Sequence, residues 1–180
     1  MDDILPKKAL SLYVLGLDWD KLSIIRYNPL WPVLYKAESN RILNKLSPWL
    51  EKLEHIGSTA VINMSAKPII DIIGMISSTE SIDSQLLNFY ELGYHYLGEC
   101  GRPGRYFLTF NRGAATFFHL HLVDKDSLYW FDLVSFRDKL RSNKELASNY
   151  SRHKLYLLKN YDNRKKYREG KEEWFNRIKP

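Results

Sequence analysis

The stretch from Glu54 to Ile76 constrains the fold most, because it places one carboxylate inside a long apolar run. Its sequence is EHIGSTAVINMSAKPIIDIIGMI, in which Asp71 has two isoleucines on each side. Such a run predicts a β-strand that is covered on both faces. Burying a carboxylate there is unfavourable unless it meets a cation, a metal ion or hydrogen-bond donors. Asp71 is therefore the first candidate for a functional residue.

A Gly57-Ser58 step precedes this strand and indicates a corner that can bind phosphate. Glycine lets the backbone approach a ligand closely, and Ser58 can cap a short helix over residues 59–64 whose free N–H groups point outward. Glycine-serine pairs also mark ordinary turns. The strand that carries Asp71 follows directly, which favours the phosphate interpretation.

The second chemical signal is the run Phe118-His119-Leu120-His121-Leu122. Side chains two residues apart in a strand share a face, so His119 and His121 are predicted to point the same way. Two neighbouring imidazoles can bind a divalent metal or a phosphate. The same alternation is also typical of any half-exposed strand, and both interpretations stay open at this point.

Hydrophobic periodicity and turn residues predict an alternation of strands and helices in one domain. Strands are predicted at residues 22–27, 50–56, 68–76, 94–97, 105–110 and 116–123, the last three as an antiparallel meander. Helices are predicted at residues 32–46, 59–64, 78–92 and 127–140, then from a capping box of Ser142 and Glu145 to about residue 161, and at 163–179. Residues 1–21 are predicted to be an N-terminal extension whose leucines contact the core.

The formal net charge of +6 is concentrated towards the end of the chain. Residues 139–180 contain 13 Lys and Arg against 5 Asp and Glu, and residues 1–138 contain 14 against 16. Basic helices can attract a polyanion or a nucleotide, but a solvated lysine-rich face is the simpler interpretation. Because no RNA-binding signature is present, nucleic acid is not an expected partner.

Cysteine content and hydropathy indicate a cytoplasmic protein that does not enter a membrane. Cys100 is the single cysteine, so no internal disulfide can form. No apolar stretch reaches the length of a membrane span, and the N-terminus is acidic where a secretory signal would be basic.

Four motifs in this chain resemble those of the GrpB family, also called UPF0157. They are HIGSTAV at 55–61, AKPIIDI at 66–72, HLH at 119–121 and FRDKL at 136–140, in the family's order. The resemblance implies an α/β (α+β) fold of the nucleotidyltransferase-like type, with a mixed sheet flanked by helices and a C-terminal helical segment. It implies a domain at residues 22–180 that follows the extension.

In the wider nucleotidyltransferase superfamily, a Gly-Ser corner precedes two acids spaced Asp-x-Asp, and a nearby strand supplies a third acid. These carboxylates hold two divalent cations that bridge the phosphates of the nucleotide. Gly57, Ser58 and Asp71 match this pattern, but Ile73 stands at the second acidic position and two histidines stand in the region of the third. One carboxylate with two histidines suits zinc, manganese or iron better than magnesium.

We therefore expect a nucleotidyl- or phosphoryl-transferase that acts on a small molecule, with a nucleoside triphosphate as substrate. Asp71, His119 and His121 are the expected catalytic residues, as ligands of a divalent metal (Mg, Mn or Zn) or as acid–base groups. The expected phosphate-binding residues are Gly57, Ser58, Thr59, Lys67, Arg105 and Arg112. One alternative is a non-catalytic nucleotide-binding or regulatory module. Another is a structural ion pair of Asp71 with Lys67 or Arg105.

Overall fold

The computed structural model describes residues 14–77, 81–161 and 163–178, which form a mixed β-sheet with helices on both faces. The strands are β1 (Leu17–Asp18), β2 (Leu50–Ile56), β3 (Ile70–Ile76), β4 (Tyr94–Tyr96), β5 (Arg105–Arg112) and β6 (Ala115–Asp124). The helices are α1 (Trp31–Leu46), α2 (Leu86–Glu91), α3 (Leu128–Ser142), α4 (Lys144–Asn160) and α5 (Arg164–Ile178). The predicted mixed α/β fold with a C-terminal helical segment is confirmed.

The sheet has the strand order β2-β3-β6-β5-β4, and β1 pairs with β6. Strands β3 and β6 run parallel, whereas β2–β3, β4–β5 and β5–β6 are antiparallel pairs. The predicted meander is therefore confirmed. Strand β3 has a neighbour on each side and helices on both faces, which explains why its sequence is apolar throughout.

The two faces of the sheet have different environments. On one face, Ile70 and Ile72 of β3 and Leu120 and Leu122 of β6 are fully buried against α1 and α2. The opposite face carries Asp71, His119 and His121. Helix α3 covers part of that face, and helices α4 and α5 pack against α3 through a second apolar cluster. The candidate residues therefore lie on the side of the sheet that the three C-terminal helices border.

Three local predictions were wrong. Residues 22–27 do not form a strand, because the segment meets only the turn before β3, where Ile25 makes an isolated bridge to Ala66. The helix predicted at 59–64 is a single 3-10 turn, Ser58–Ala60, and the Ser58 side chain does not cap it. Asn143, not Ser142, caps α4, since its side chain accepts from the Leu146 amide.

The predicted N-terminal extension is in part joined to the sheet. Leu15 and Leu17 are buried in the core, and Leu17–Asp18 pairs with residues 115–116 of β6. Leu10, Leu12 and Tyr13, which were also predicted to contact the core, lie outside the described residues. Within the part of the chain that the structure describes, no helix combines the length and the apolar character needed to cross a bilayer.

Candidate active site

The register of the sheet brings Asp71, His119 and His121 together. Asp71 lies directly opposite His119, and His121 follows two residues later on the same face of β6. The Nδ1 atom of His119 is 2.8 Å from Oδ1 of Asp71, and Nε2 of His121 is 4.0 Å from the same oxygen. One ligand atom from each of the three side chains lies within 4.8 Å of the others. The predicted convergence of these residues is thus observed.

Asp71 is held in its ionised form. Burial acts to raise the pKa of its carboxyl group, but the hydrogen bond from His119 and the nearby His121 ring outweigh burial and hold that pKa well below its usual range. The side chain is still 32% exposed, so one side of the carboxylate faces the cavity described below. Because an ionised carboxylate only accepts hydrogen bonds, His119 donates its Nδ1–H to Asp71, and in the neutral form of the ring Nε2 is then the acceptor.

Gly57 allows the corner before β3 to lie directly against the Asp71 carboxylate. Its φ of 71° and ψ of −171° fall in a region that glycine alone adopts readily. A Cβ atom at this position would lie 2.5 Å from Oδ2 of Asp71. The close approach predicted for Gly57 is therefore an approach to Asp71 within the protein.

Lys154 of α4 is the partner of Ser58. The lysine is 2% exposed, and its Nζ donates to Oγ of Ser58 at 2.8 Å and to the carbonyl of Ser65. Burial lowers the pKa of Lys154 well below its usual value. The Lys154 amino group therefore stands behind the Gly57-Ser58 corner and holds the Ser58 hydroxyl at the start of the 3-10 turn, while burial disfavours the charged form of the lysine.

A second set of contacts supports the corner from beneath. The guanidinium of Arg137 donates to Oε2 of Glu54 at 2.7 Å and to the carbonyl of His55 at 3.0 Å. The His55 ring stacks on Tyr35, and its Nε2 is 3.0 Å from Oγ1 of Thr59. Burial lowers the pKa of His55 to about 3, so this histidine is neutral. Thr59 is buried in this contact and is held in place by it.

Arg105 connects His121 to the loop before β5. Its guanidinium donates to the carbonyls of Glu99 and Cys100 at 2.9 Å each, and its Nη1 atom lies 3.3 Å from Nδ1 of His121. Arg102, from the same loop, forms an ion pair with Glu172 of α5 at 2.9 Å. The loop thus reaches the C-terminal helix on one side and the histidine pair on the other.

These groups line one cavity of about 830 Å³. Its wall includes Asp71, both histidines, the Gly57-Ser58 corner and aromatic residues of three helices. The basic residues that line it are Lys67, Arg102, Arg105, Lys154, Arg164, Lys165, Arg168 and Lys171, whereas the acidic residues are Asp71 and Glu172. The volume is in the range of small-molecule sites, about 300–1,000 Å³. The charge of the wall favours an anionic ligand.

The predicted phosphate-binding residues are placed unequally. Gly57, Ser58, Thr59, Lys67 and Arg105 line the cavity. Arg112 does not line it: it lies at the far end of β5 next to the hairpin, with its guanidinium over the Phe110 ring. Lys67 and Arg105 do not pair with Asp71, whose nearest partners are the two histidines, so the alternative of a structural ion pair does not describe this site.

The position of the second acid is closed to a metal ion. Ile73 lies on the same face as Asp71, but it is fully buried in an apolar cluster with Ile56, Val123 and Trp130. Two magnesium ions held by carboxylates therefore do not fit this site. One carboxylate and two imidazoles within 4.8 Å fit a single ion such as zinc or manganese.

Several residues of this site were missed in the sequence. Lys154 follows Tyr150 and precedes Leu157 at the spacing of one buried helix face, and a lysine on such a face was a usable signal. Arg164, Arg168 and Lys171 are spaced i, i+4 and i+7 on α5. These α5 residues were interpreted as part of a solvated face; Arg168 is exposed and the other two are partly exposed, and all three also line the cavity.

Comparison with known proteins identifies the family. The profile of the GrpB protein family matches residues 21–180. UPF0157 protein YqkA of Bacillus subtilis is 32% identical over 155 residues, which are 86% of this chain and 45% of YqkA. The chain therefore spans less than half the length of that relative. The chain belongs to the GrpB family, as its motifs indicate.

The solved structure of a GrpB protein shows the same fold. The crystal structure of conserved protein GrpB from Enterococcus faecalis has a TM-score of 0.75 and 29% sequence identity, and the match covers 86% of this chain and 98% of that one. The Cid1 poly(U) polymerase bound to MgGTP is also similar, with a TM-score of 0.41 and 16% identity, over 73% of this chain and 45% of Cid1. A likeness of this size concerns the fold and says nothing about a substrate.

Proposed function

We propose that this protein is a nucleotidyl- or phosphoryl-transferase that takes a nucleoside triphosphate and acts on a small molecule. The observation that carries the proposal is the position of Asp71, His119 and His121 in the wall of a cavity that also bears eight Lys and Arg side chains. Transfer of a phosphoryl group depends mainly on positioning the reactants and offsetting the phosphate charge. This cavity supplies both types of group.

The chain's own residues have distinct roles in this proposal. The Gly57-Ser58 corner, whose serine is held by Lys154, binds a phosphate of the donor. His119, whose Nδ1–H donates to Asp71, accepts at Nε2 the proton of the attacking hydroxyl group while the hydroxyl oxygen bonds to a phosphorus of the donor. The P–O bond to pyrophosphate (nucleotidyl transfer) or to the nucleoside diphosphate (phosphoryl transfer) breaks, and that group leaves as the anion. Arg105, which the loop carbonyls hold in place, offsets negative charge beside His121.

A divalent ion is the alternative to an acid–base role of His119 within this proposal. Asp71, His119 and His121 are the residues that would hold it, and their mixed nitrogen and oxygen donors favour zinc or manganese over magnesium. When bound, such an ion would neutralise phosphate charge. A metal site and an acid–base role of His119 make different predictions, since only the first requires an added ion.

A non-catalytic nucleotide-binding module is the second candidate, and Ile73 is the observation that favours it. The apolar cluster around Ile73 occupies the place of a carboxylate that two-metal enzymes of this fold require. A module of this type would keep the phosphate corner and the basic wall and would bind nucleotides without a metal ion.

Calorimetric titration separates these candidates. ATP, GTP and CTP are titrated into the wild type with EDTA, magnesium, manganese or zinc, and then into Asp71→Asn, His121→Ala and the control Asp124→Asn. Asp124 ends β6 and is exposed outside the cavity. We expect one nucleotide to bind in a metal-dependent way, with loss of binding in the first two variants alone. Binding in EDTA that Asp71→Asn does not weaken would support the non-catalytic module. Failure of all nucleotides to bind would overturn both candidates.

A further inference from the structure

Four basic side chains line the cavity together with Tyr167. Lys67 comes from the turn before β3, and Arg164, Arg168 and Lys171 come from α5; together we call them the Tyr167 cluster. The Nζ atoms of Lys67 and Lys171 lie 4.6 Å and 5.7 Å from the centre of the Tyr167 ring. The three α5 residues share one helix face because of their i, i+4 and i+7 spacing. All four line the cavity.

The cluster has no acidic partner in residues 14–77, 81–161 and 163–178. The neighbouring acids of α5 pair elsewhere, Glu172 with Arg102 at 2.9 Å and Glu169 with Lys165 at 3.9 Å. The pKa of Lys67 is lowered to about 7, first by burial and then by the positive charges of Lys171 and Arg164. The negative charge of Asp71 offsets this decrease only in part. Gathering this much positive charge on one wall is unfavourable unless an anion joins it, and the lowered pKa of Lys67 reflects that cost.

The basic side chains of the cluster are not the ones that contact the Gly57-Ser58 corner. The corner has its own lysine, Lys154, whose hydrogen bonds go to Ser58 and Ser65. The Arg105 guanidinium also has partners already, the carbonyls of Glu99 and Cys100. The Tyr167 cluster, by contrast, offers two guanidinium and two lysine amino groups to the cavity, and the two lysines lie over the Tyr167 ring. Guanidinium groups bind phosphate oxygens in pairs, which gives them a preference for this anion.

We infer that the Tyr167 cluster is a second phosphate subsite, distinct from the Gly57-Ser58 corner. This inference deepens the proposed function, because it means that the ligands of the cavity carry phosphate at two places. The second phosphate comes either from the distal end of the nucleotide's triphosphate or from a second substrate that is itself phosphorylated. Both sources supply the same chemical group, and the experiment below distinguishes them.

The test uses inorganic triphosphate as the probe, titrated in EDTA at constant ionic strength. Lys171→Met and Arg168→Met are compared with Lys166→Met, a matched control on the same helix that is exposed and does not line the cavity. We expect the wild type and the control to bind triphosphate with the same affinity. Each cluster variant should bind it about tenfold more weakly, as expected for the loss of one charge-assisted hydrogen bond. Equal binding by all four proteins would overturn the inference.

A competition experiment identifies the source of the phosphate. If inorganic triphosphate displaces ATP, and Lys171→Met weakens ATP but not AMP, the cluster binds the nucleotide's own triphosphate. If inorganic triphosphate binds together with ATP, the cluster binds a second, phosphorylated substrate. Either result supports a phosphate subsite. Because the probe is used without metal, we expect Asp71→Asn to bind triphosphate as the wild type does. Failure of the proposed transferase would therefore leave triphosphate binding intact, whereas failure of the subsite would show as equal binding by the cluster variants and the wild type.

Discussion

Replacement of Gly57 by alanine tests how closely the phosphate corner lies against Asp71. Two separate effects are expected to lower the free energy of unfolding of Gly57→Ala. The backbone, with φ of 71° and ψ of −171°, is in a region that costs a non-glycine residue about 1–3 kcal/mol. The new Cβ would also lie 2.5 Å from Oδ2 and 3.2 Å from Cγ of Asp71. Overpacking of this type costs about 1–3 kcal/mol more.

A double-mutant cycle with Asp71→Ala separates the two effects. Removing the carboxylate removes the contacts with Oδ2 and Cγ, whereas the backbone penalty remains. Gly57→Ala should therefore cost about 1–3 kcal/mol less in the Asp71→Ala background than in the wild type. Urea denaturation of the four proteins, followed by circular dichroism, measures this coupling free energy.

Gly113→Ala provides the control for the backbone effect alone. Gly113 has a φ of 57°, and a Cβ built there would have nothing within 4 Å. Its cost is expected to be about 1–2 kcal/mol and not to change when Asp71 is replaced. If Gly57→Ala were as costly in the Asp71→Ala background as in the wild type, the proposed contact between the corner and the carboxylate would be refuted.

Three further predictions follow from buried groups of the site. The pKa of His55 is lowered to about 3 in the folded protein. Below pH 6.5 the unfolded chain therefore binds a proton that the folded chain does not bind. The free energy of unfolding should decrease from pH 6.5 towards pH 3 by up to about 1.4 kcal/mol per pH unit. Urea titrations at several pH values should show a smaller slope for His55→Gln; an unchanged slope would contradict the burial of a neutral ring. Lys67 has its pKa lowered to about 7, and a bound phosphate should raise it, so binding of triphosphate at pH 8 should take up protons. Calorimetry in buffers of different ionisation enthalpy measures this uptake, and Lys67→Met should reduce it; equal uptake by both proteins would speak against Lys67 as a ligand. Ile73→Asp should lower the free energy of unfolding by at least about 2 kcal/mol, against about 1 kcal/mol for the control Ile73→Val, because it puts a carboxylate in an apolar cluster. A stable Ile73→Asp protein with magnesium-dependent nucleotide binding would contradict the interpretation of this position.

The sheet was largely predictable because its strands carry strong local patterns. The apolar run around Asp71 predicted a strand covered on both faces, and that strand lies inside the sheet with β2 and β6 as neighbours. The weaker alternation at residues 22–27 gave a wrong prediction. A strand requires a partner along its length, and only Ile25 has one there, in a single bridge.

The candidate site was predictable where local geometry decides it. His119 and His121 share a face because strand side chains alternate, and the order of the motifs indicated that Asp71 belongs with them. The packing of α4 and α5 decides the rest. Lys154 and the α5 cations are more than 80 residues from Asp71 in the chain, and charge composition alone does not say which face of a basic helix meets the sheet.

The same reasoning explains the two errors among the residues that were predicted to bind phosphate. Ser58 was predicted to cap a helix because serine often does so, but its hydroxyl instead accepts from Lys154, a contact that no local pattern contains. Arg112 was assigned to the phosphate because it is basic and near the meander. It lies at the end of β5 beyond Thr109, the residue that pairs with His119, so it is out of reach of the cavity wall.

The most direct test of the transferase is the rate at which Asp71→Asn cleaves the nucleotide that the wild type binds. Phosphorus-31 NMR follows loss of the triphosphate signals with the metal ion that supports binding, for the wild type, Asp71→Asn and the control Asp124→Asn. Water takes the place of the acceptor hydroxyl group in this assay, so we expect the wild type and the control to hydrolyse the nucleotide slowly. The rate should be at least about a hundredfold lower in Asp71→Asn, the effect of losing one catalytic group. Conversion by Asp71→Asn at the wild-type rate would contradict the assignment of this site.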